Sequence, residues 1–84
     1  MDKRIGIIGI VIEDLSSVDK VNAILHEYAE LIVGRMGLPY KERKVSVISL
    51  IVDGSNDDIS AITGKLGRIA NISVKSMITK SVEK

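Results

Sequence analysis

The chain has no cysteine, no phenylalanine and no tryptophan, and only one proline and one histidine among its 84 residues. Each absence removes a class of chemistry. Without cysteine there is no disulfide, no zinc ribbon, no iron–sulfur ligation and no thiol nucleophile. A domain this short buries only roughly 60–65% of its unfolded surface, so its stability is marginal without a supplement. With disulfides excluded, self-association is the expected supplement. Charge of one sign is also lacking: twelve basic residues against eleven acidic leave a net charge of +1. That balance favours neither a nucleic-acid binder nor an acidic tail. No apolar run reaches the roughly 18 residues of a membrane span. The start, MDKRIGIIGIVIED, is basic and then apolar in the manner of a signal peptide. Its run is rich in Ile and Val, however, and ends in Glu13-Asp14 without a small-residue cleavage site. It reads as a buried strand, and the protein as cytoplasmic.

What the chain does hold is aliphatic: 45% of it is apolar, with Tyr28 and Tyr40 the only aromatics. Residues 4–13 are apolar on both alternating faces, with Ile8, Ile10 and Ile12 on one and Ile5, Ile7 and Val11 on the other. Such a strand is covered on both sides. Residues 14–17 form a loop with capping residues. A helical period then begins, placing Val18, Val21, Leu25 and Tyr28 on one stripe with Ile24 beside it. Residues 31–38 read as a second strand interrupted by Gly34 and Gly37, and residues 39–44 as a charged hairpin connection. Residues 45–52 read as a third strand, with Ile48, Leu50 and Val52 opposite Val45, Val47 and Ile51. Asp53 to Asn56 is a turn, and Ser55 with Asp58 resembles a capping box. Ile59, Ile62, Leu66 and Ile69 give a second amphipathic helix ended by Asn71. Residues 72–79 read as an edge strand guarded by Lys75, and residues 80–84 as a frayed tail.

The order βαββαβ in one domain, residues 1–84, predicts an α+β ferredoxin-like sandwich: a four-stranded antiparallel sheet with two helices on one face. Its crossovers are expected to be right-handed. The first and third strands would be central, yet both are apolar on both faces. One sheet face would then be left in water, at a cost of roughly 25 cal/mol per Å² of apolar surface. That face is expected to join copies of the chain into a homodimer or homotetramer.

His26 falls on the polar flank of the first helix, beside Asp19, Asn22 and Glu30, where Glu30 four residues on can pair with it. As a metal ligand it would need carboxylates from another subunit, since no second histidine exists. As a general base it lacks a nucleophile nearby. Gly34–Gly37 and Gly64–Gly67 are both GxxG, but they lie in a strand and a helix rather than in a nucleic-acid clamp loop. Gly64-Lys65 lacks the spacing of a P-loop. Arg35 with Lys41 to Lys44 is a modest basic patch without stacking aromatics on the sheet, so direct nucleic-acid binding is not expected. Asp57 and Asp58 suit the second helix's dipole and disfavour an anion there. The loop Glu13–Ser17 offers carboxylates, hydroxyls and unpaired helix N–H groups at a strand's carboxyl end, a place where ligands bind in α/β architectures.

Taken together, MDKRIGIIGIVIED, VNAILHEYAELIVGRMGLPY, VSVISLIVDG, ISAITGKLGRI and ISVKSMIT resemble the small ACT-like proteins known as iron-only hydrogenase system regulators. The resemblance covers almost the whole chain, with IVGRMGLPY its most specific segment. That family name labels a genomic context and so implies a role more than a mechanism. The segment from Leu25 to Gly54 is also similar to the ligand-sensing C-terminal domain of the nickel-responsive repressors, which is ferredoxin-like and tetrameric. That domain holds nickel with three histidines and a cysteine across a subunit interface. In its register His26 matches the first histidine, while Gly37 and Pro39 stand at the two-histidine motif and Lys44 or Val45 at the cysteine. Nickel binding is therefore not carried over, and the repressors' DNA-binding arm has no counterpart.

The resemblance implies a non-enzymatic regulatory domain, transcriptional regulation included, that assembles with itself and senses a small ligand or contacts a protein partner. The alternative is an interaction module with no ligand. Ligand contacts are expected from Asp14, Ser16, Ser17, Arg35 and His26, with no catalytic residue, no metal, no cofactor and no membrane. An acylphosphatase-like activity would need an arginine in the first loop, and Glu13–Ser17 has none.

Overall fold

A computed structural model describes residues 3–80. Strands β1 (Lys3–Ile12), β2 (Ile32–Tyr40), β3 (Val45–Ser55) and β4 (Ile72–Ile78) and helices α1 (Val18–Glu27) and α2 (Asn56–Gly67) follow in the order βαββαβ. The sheet order is β2-β3-β1-β4, with every neighbouring pair antiparallel. β1 and β3 are central, as their two apolar faces require, and β4 is an edge carrying Lys75. This is the α+β, ferredoxin-like, ACT-like sandwich. No described helix is long and apolar enough to cross a membrane. The expected frayed tail falls mostly on residues 81–84, outside the described residues.

One face of the sheet makes the core. Ile8, Ile10 and Ile12 from β1 and Ile48, Leu50 and Val52 from β3 meet Val21 and Leu25 of α1 and Ile59, Ile62 and Leu66 of α2, all essentially inaccessible. Val18, Ile24 and Tyr28 are half-buried against them, which completes the helical stripe. Ser55 caps α2, its hydroxyl accepting from the Asp58 N–H at 3.1 Å. Asp57 and Asp58 occupy the first turn, where the dipole favours them.

Two glycines sit in close quarters, Gly6 against backbone and Gly54 against the end of a movable leucine. A Cβ on Gly6 would come within 3.1 Å of Val52 Cγ2 and 3.3 Å of the Met77 carbonyl oxygen, and one on Gly54 within 2.9 Å of Leu31 Cδ2. Gly64 and Gly67 have open space around them, so close packing against the sheet does not account for their place in α2.

Several boundaries differ from the expected ones. α2 stops at Gly67 rather than running to Asn71; Ile69 packs on the core from the following turn. Asn71 takes a left-handed backbone, φ 63°, which its short polar side chain tolerates, and closes that turn. α1 ends at Glu27, so Glu30 lies in a separate short turn and has no helical i,i+4 relation to His26. β2 continues through Pro39 to Tyr40, because an edge strand tolerates a missing N–H. Tyr40 is thereby an aromatic on the sheet, which the hairpin reading had excluded.

Candidate functional site

The register of β2 decides what the site contains. β2 and β3 pair with an irregularity between Ile32 and Gly34. Ile32 lies opposite Val52, on the core face. Beyond the bulge Gly34 lies opposite Ile51, Arg35 opposite Leu50 and Met36 opposite Ser49. Directly opposed residues share a sheet face, and one extra residue exchanges the faces. The bulge therefore turns Arg35 toward the helices and sends Met36, Leu38 and Tyr40 to the open side.

On the helix side, Arg35 reaches α1, where its Nη2 donates to Asn22 Oδ1 at 3.2 Å. The two residues, with Leu25, His26, Ala29 and Ile32, line a depression of about 460 Å³ between α1 and β2. Among the described residues no group of three His, Cys, Asp or Glu side chains is placed to hold a metal ion.

Asp14, Ser16 and Ser17 lie at the other end of α1. Asp14 Oδ1 accepts from the Ser16 hydroxyl at 2.8 Å and from the Ser16 N–H at 3.0 Å. These two bonds, the hydroxyl's first, hold the Asp14 carboxyl below the usual aspartate range. Ser17 is buried and donates its hydroxyl to the Ala70 carbonyl at 3.2 Å. The neighbouring Glu13 N–H donates to the Asn71 carbonyl at 2.9 Å. Ser17 thus ties the start of α1 to the turn before β4, while the Ser16 hydroxyl is engaged within the loop by Asp14. Of the five expected contact residues, the structure brings His26 and Arg35 together and keeps the loop trio apart from them.

The open face of the sheet is a third feature. Across β2-β3-β1-β4 its rows read Leu38, Val47, Val11, Ser73; then Met36, Ser49, Gly9, Lys75; then Gly34, Ile51, Ile7, Met77. Ile7, Met36, Leu38, Tyr40, Ile51 and Met77 keep 42–70% of their surface exposed. At one end of this face Tyr40, Arg43, Lys44 and Glu13 surround a shallow hollow of about 500 Å³. Sequence reasoning anticipated the rows from β1 and β3. It missed β2's contribution, because the bulge is invisible in a glycine-interrupted run, and it missed Asn22, which is one polar residue among many on the flank of α1.

Residues 4–76 match a family model described as "TM1266-like: Iron-only hydrogenase system regulator, putative". The chain belongs to this family. Among solved structures, it is similar to the uncharacterized protein TM1266 from Thermotoga maritima at 36% identity and a TM-score of 0.89, over 94% of this chain and all of that one. It is also similar to an ACT domain protein from Streptococcus pneumoniae at 14% identity and a TM-score of 0.59, over 89% of each chain. The second likeness is one of fold. No curated protein matches the chain. The family is described as a regulator, not as a family of enzymes.

Proposed function

We propose that the chain is a non-enzymatic regulatory domain that assembles with itself through the open face of its sheet and serves an iron-only hydrogenase system by sensing a small ligand. The observation that carries this reading is the set of large apolar side chains left exposed on that face. A soluble monomer rarely gathers so many large apolar side chains on one exposed face. Four strands about 4.8 Å apart, each contributing some seven residues at about 3.3 Å, present roughly 450 Å² of flat area per copy. Two facing copies then approach the roughly 1,000 Å² that a specific interface needs, before side-chain relief is counted. A second copy is the fitting occupant, because like faces meet in an isologous pair and an 84-residue chain gains most from the added burial.

Ligand sensing follows from linkage: a molecule that prefers one assembly state shifts the population toward it, and that shift is the regulatory output, on transcription or on a protein partner. A cytoplasmic location is part of the reading and suits a chain without cysteine.

Sedimentation equilibrium of the wild-type chain and of Ile51→Asp tests the assembly. The expected result is an oligomer at micromolar concentration that the aspartate disperses while the helical signal in circular dichroism is kept. A wild-type monomer at that concentration would sink the reading and favour a module whose sheet face meets a different protein.

A further inference from the structure

We propose that the depression between α1 and β2 binds a small aliphatic monocarboxylate, its anionic end on the Arg35 guanidinium and its hydrocarbon part on Ala29 and Ile32. This rests on the ligand-sensing part of the proposed function and names the chemistry of that ligand.

Arg35 supplies the anion's partner. Its one hydrogen bond among the described residues is the donation to Asn22, which links the side chain to α1 and leaves most of its five donors for another group. Among the described residues no acidic side chain lines the space. Glu27, on the last turn of α1, is instead engaged by Lys65 at 2.7 Å. An arginine fork without a carboxylate of its own is matched bidentately by a carboxylate from outside. His26 adds a second polar group at the rim.

The rest of the lining selects within that class. Ala29 and Ile32, backed by the buried Leu25, make an apolar floor, and the volume of about 460 Å³ suits a small molecule rather than a chain segment. A phosphate would put a second negative charge against a single arginine. An α-amino acid would bring an ammonium, and the lining offers that group no carboxylate. Asn22 Oδ1 is already accepting from Arg35.

Isovalerate is the probe, followed by two-dimensional amide and guanidinium NMR on the full chain, with isovaleramide, leucine and inorganic phosphate as comparators. Isovalerate should give saturable shifts at the Arg35 Nε–H, the Asn22 side-chain amide and the His26 ring. The three comparators should bind at least about tenfold more weakly. Arg35→Met, which keeps the stem and removes the charge, should weaken isovalerate by at least about tenfold, and Asn22→Asp, which supplies Arg35 with an internal carboxylate, should abolish it. Unchanged amide dispersion in either variant establishes that the fold is intact. Equal binding of isovaleramide or phosphate, an unaffected Arg35→Met, or no saturable shift from isovalerate would each overturn the proposal. The depression lies within one protomer, so a monomeric chain that still bound isovalerate would remove the assembly reading and leave this inference standing.

Discussion

Ile7 and Ile51 lie directly opposite each other in the β1–β3 pair, on the face turned away from both helices, and each keeps close to half of its surface exposed, at 44% and 46%. They stand on the two inner strands of the face through which the chain is proposed to meet its copy. Ile7→Ser and Ile51→Ser should each raise the dimer dissociation constant by about tenfold or more, as central contacts do. Being cross-strand neighbours, they should be coupled, so the double variant should lose less than the two single losses added together. Sedimentation at several concentrations measures all three. Losses that add without coupling would place the two side chains in separate environments.

Gly6 and Gly9 stand three residues apart in the same central strand, yet only one is required by the chain's own packing. Gly6→Ala should cost about 1–3 kcal/mol, because its Cβ would press on Val52 Cγ2 and on the fixed Met77 carbonyl. A Cβ on Gly9 meets only the Lys75 carbonyl, at 4.0 Å. Gly9→Ala should therefore be neutral or add up to about 1 kcal/mol by restricting the unfolded chain. Urea midpoints taken at a concentration low enough to keep the chain monomeric separate the two, and the reverse order would contradict the packing described.

These contrasts show which features the sequence carries on its surface. The alternation in β1 and β3 is strict, so the residues sharing each face could be grouped from the sequence alone, while the packing of the helices decides that Ile8, Ile10, Ile12, Ile48, Leu50 and Val52 are the buried group. The helical stripes were equally plain up to Ile69, whose apolar side chain serves the core from outside the helix and so lengthened the apparent period. β2 was not legible in the same way. Its side chains are sorted by a bulge, a relation between two strands that leaves no mark in a run broken by Gly34 and Gly37. That bulge is also why His26 and Arg35 share a depression although nothing in their spacing joins them. The loop trio was legible as polar and cap-like, but the tie of Ser17 to Ala70, and of the neighbouring Glu13 to Asn71, depends on where α2 hands over to β4.

The cap on α2 offers a local test of that sequence-level reading. Ser55→Ala removes the acceptor of the Asp58 N–H and should cost about 1 kcal/mol. Ser55→Asp should recover most of it, since a carboxylate both accepts the bond and meets the helix dipole. Equal stability of the three proteins in thermal unfolding would show that the bond contributes nothing.

Asp14 gives the chain a pH dependence of known sign. Its carboxyl is held below the ordinary aspartate value, first by the Ser16 hydroxyl and then by the Ser16 N–H, so the folded state favours the charged form. A group depressed in this way stabilises the fold fully above its unfolded pKa, and the contribution fades as pH falls through that value toward the folded one. Wild-type stability should therefore decline on acidification through and below the ordinary aspartate range. Asp14→Asn should flatten part of that decline, because its amide cannot be protonated over the same interval. Ser16→Ala should likewise flatten part of the decline, with stability lower than wild type above the aspartate range and little different well below it, since without the hydroxyl the folded carboxyl titrates nearer its unfolded value. Urea midpoints across the acid range measure all three proteins, and parallel curves for wild type and Asp14→Asn would mean that other carboxylates set the dependence.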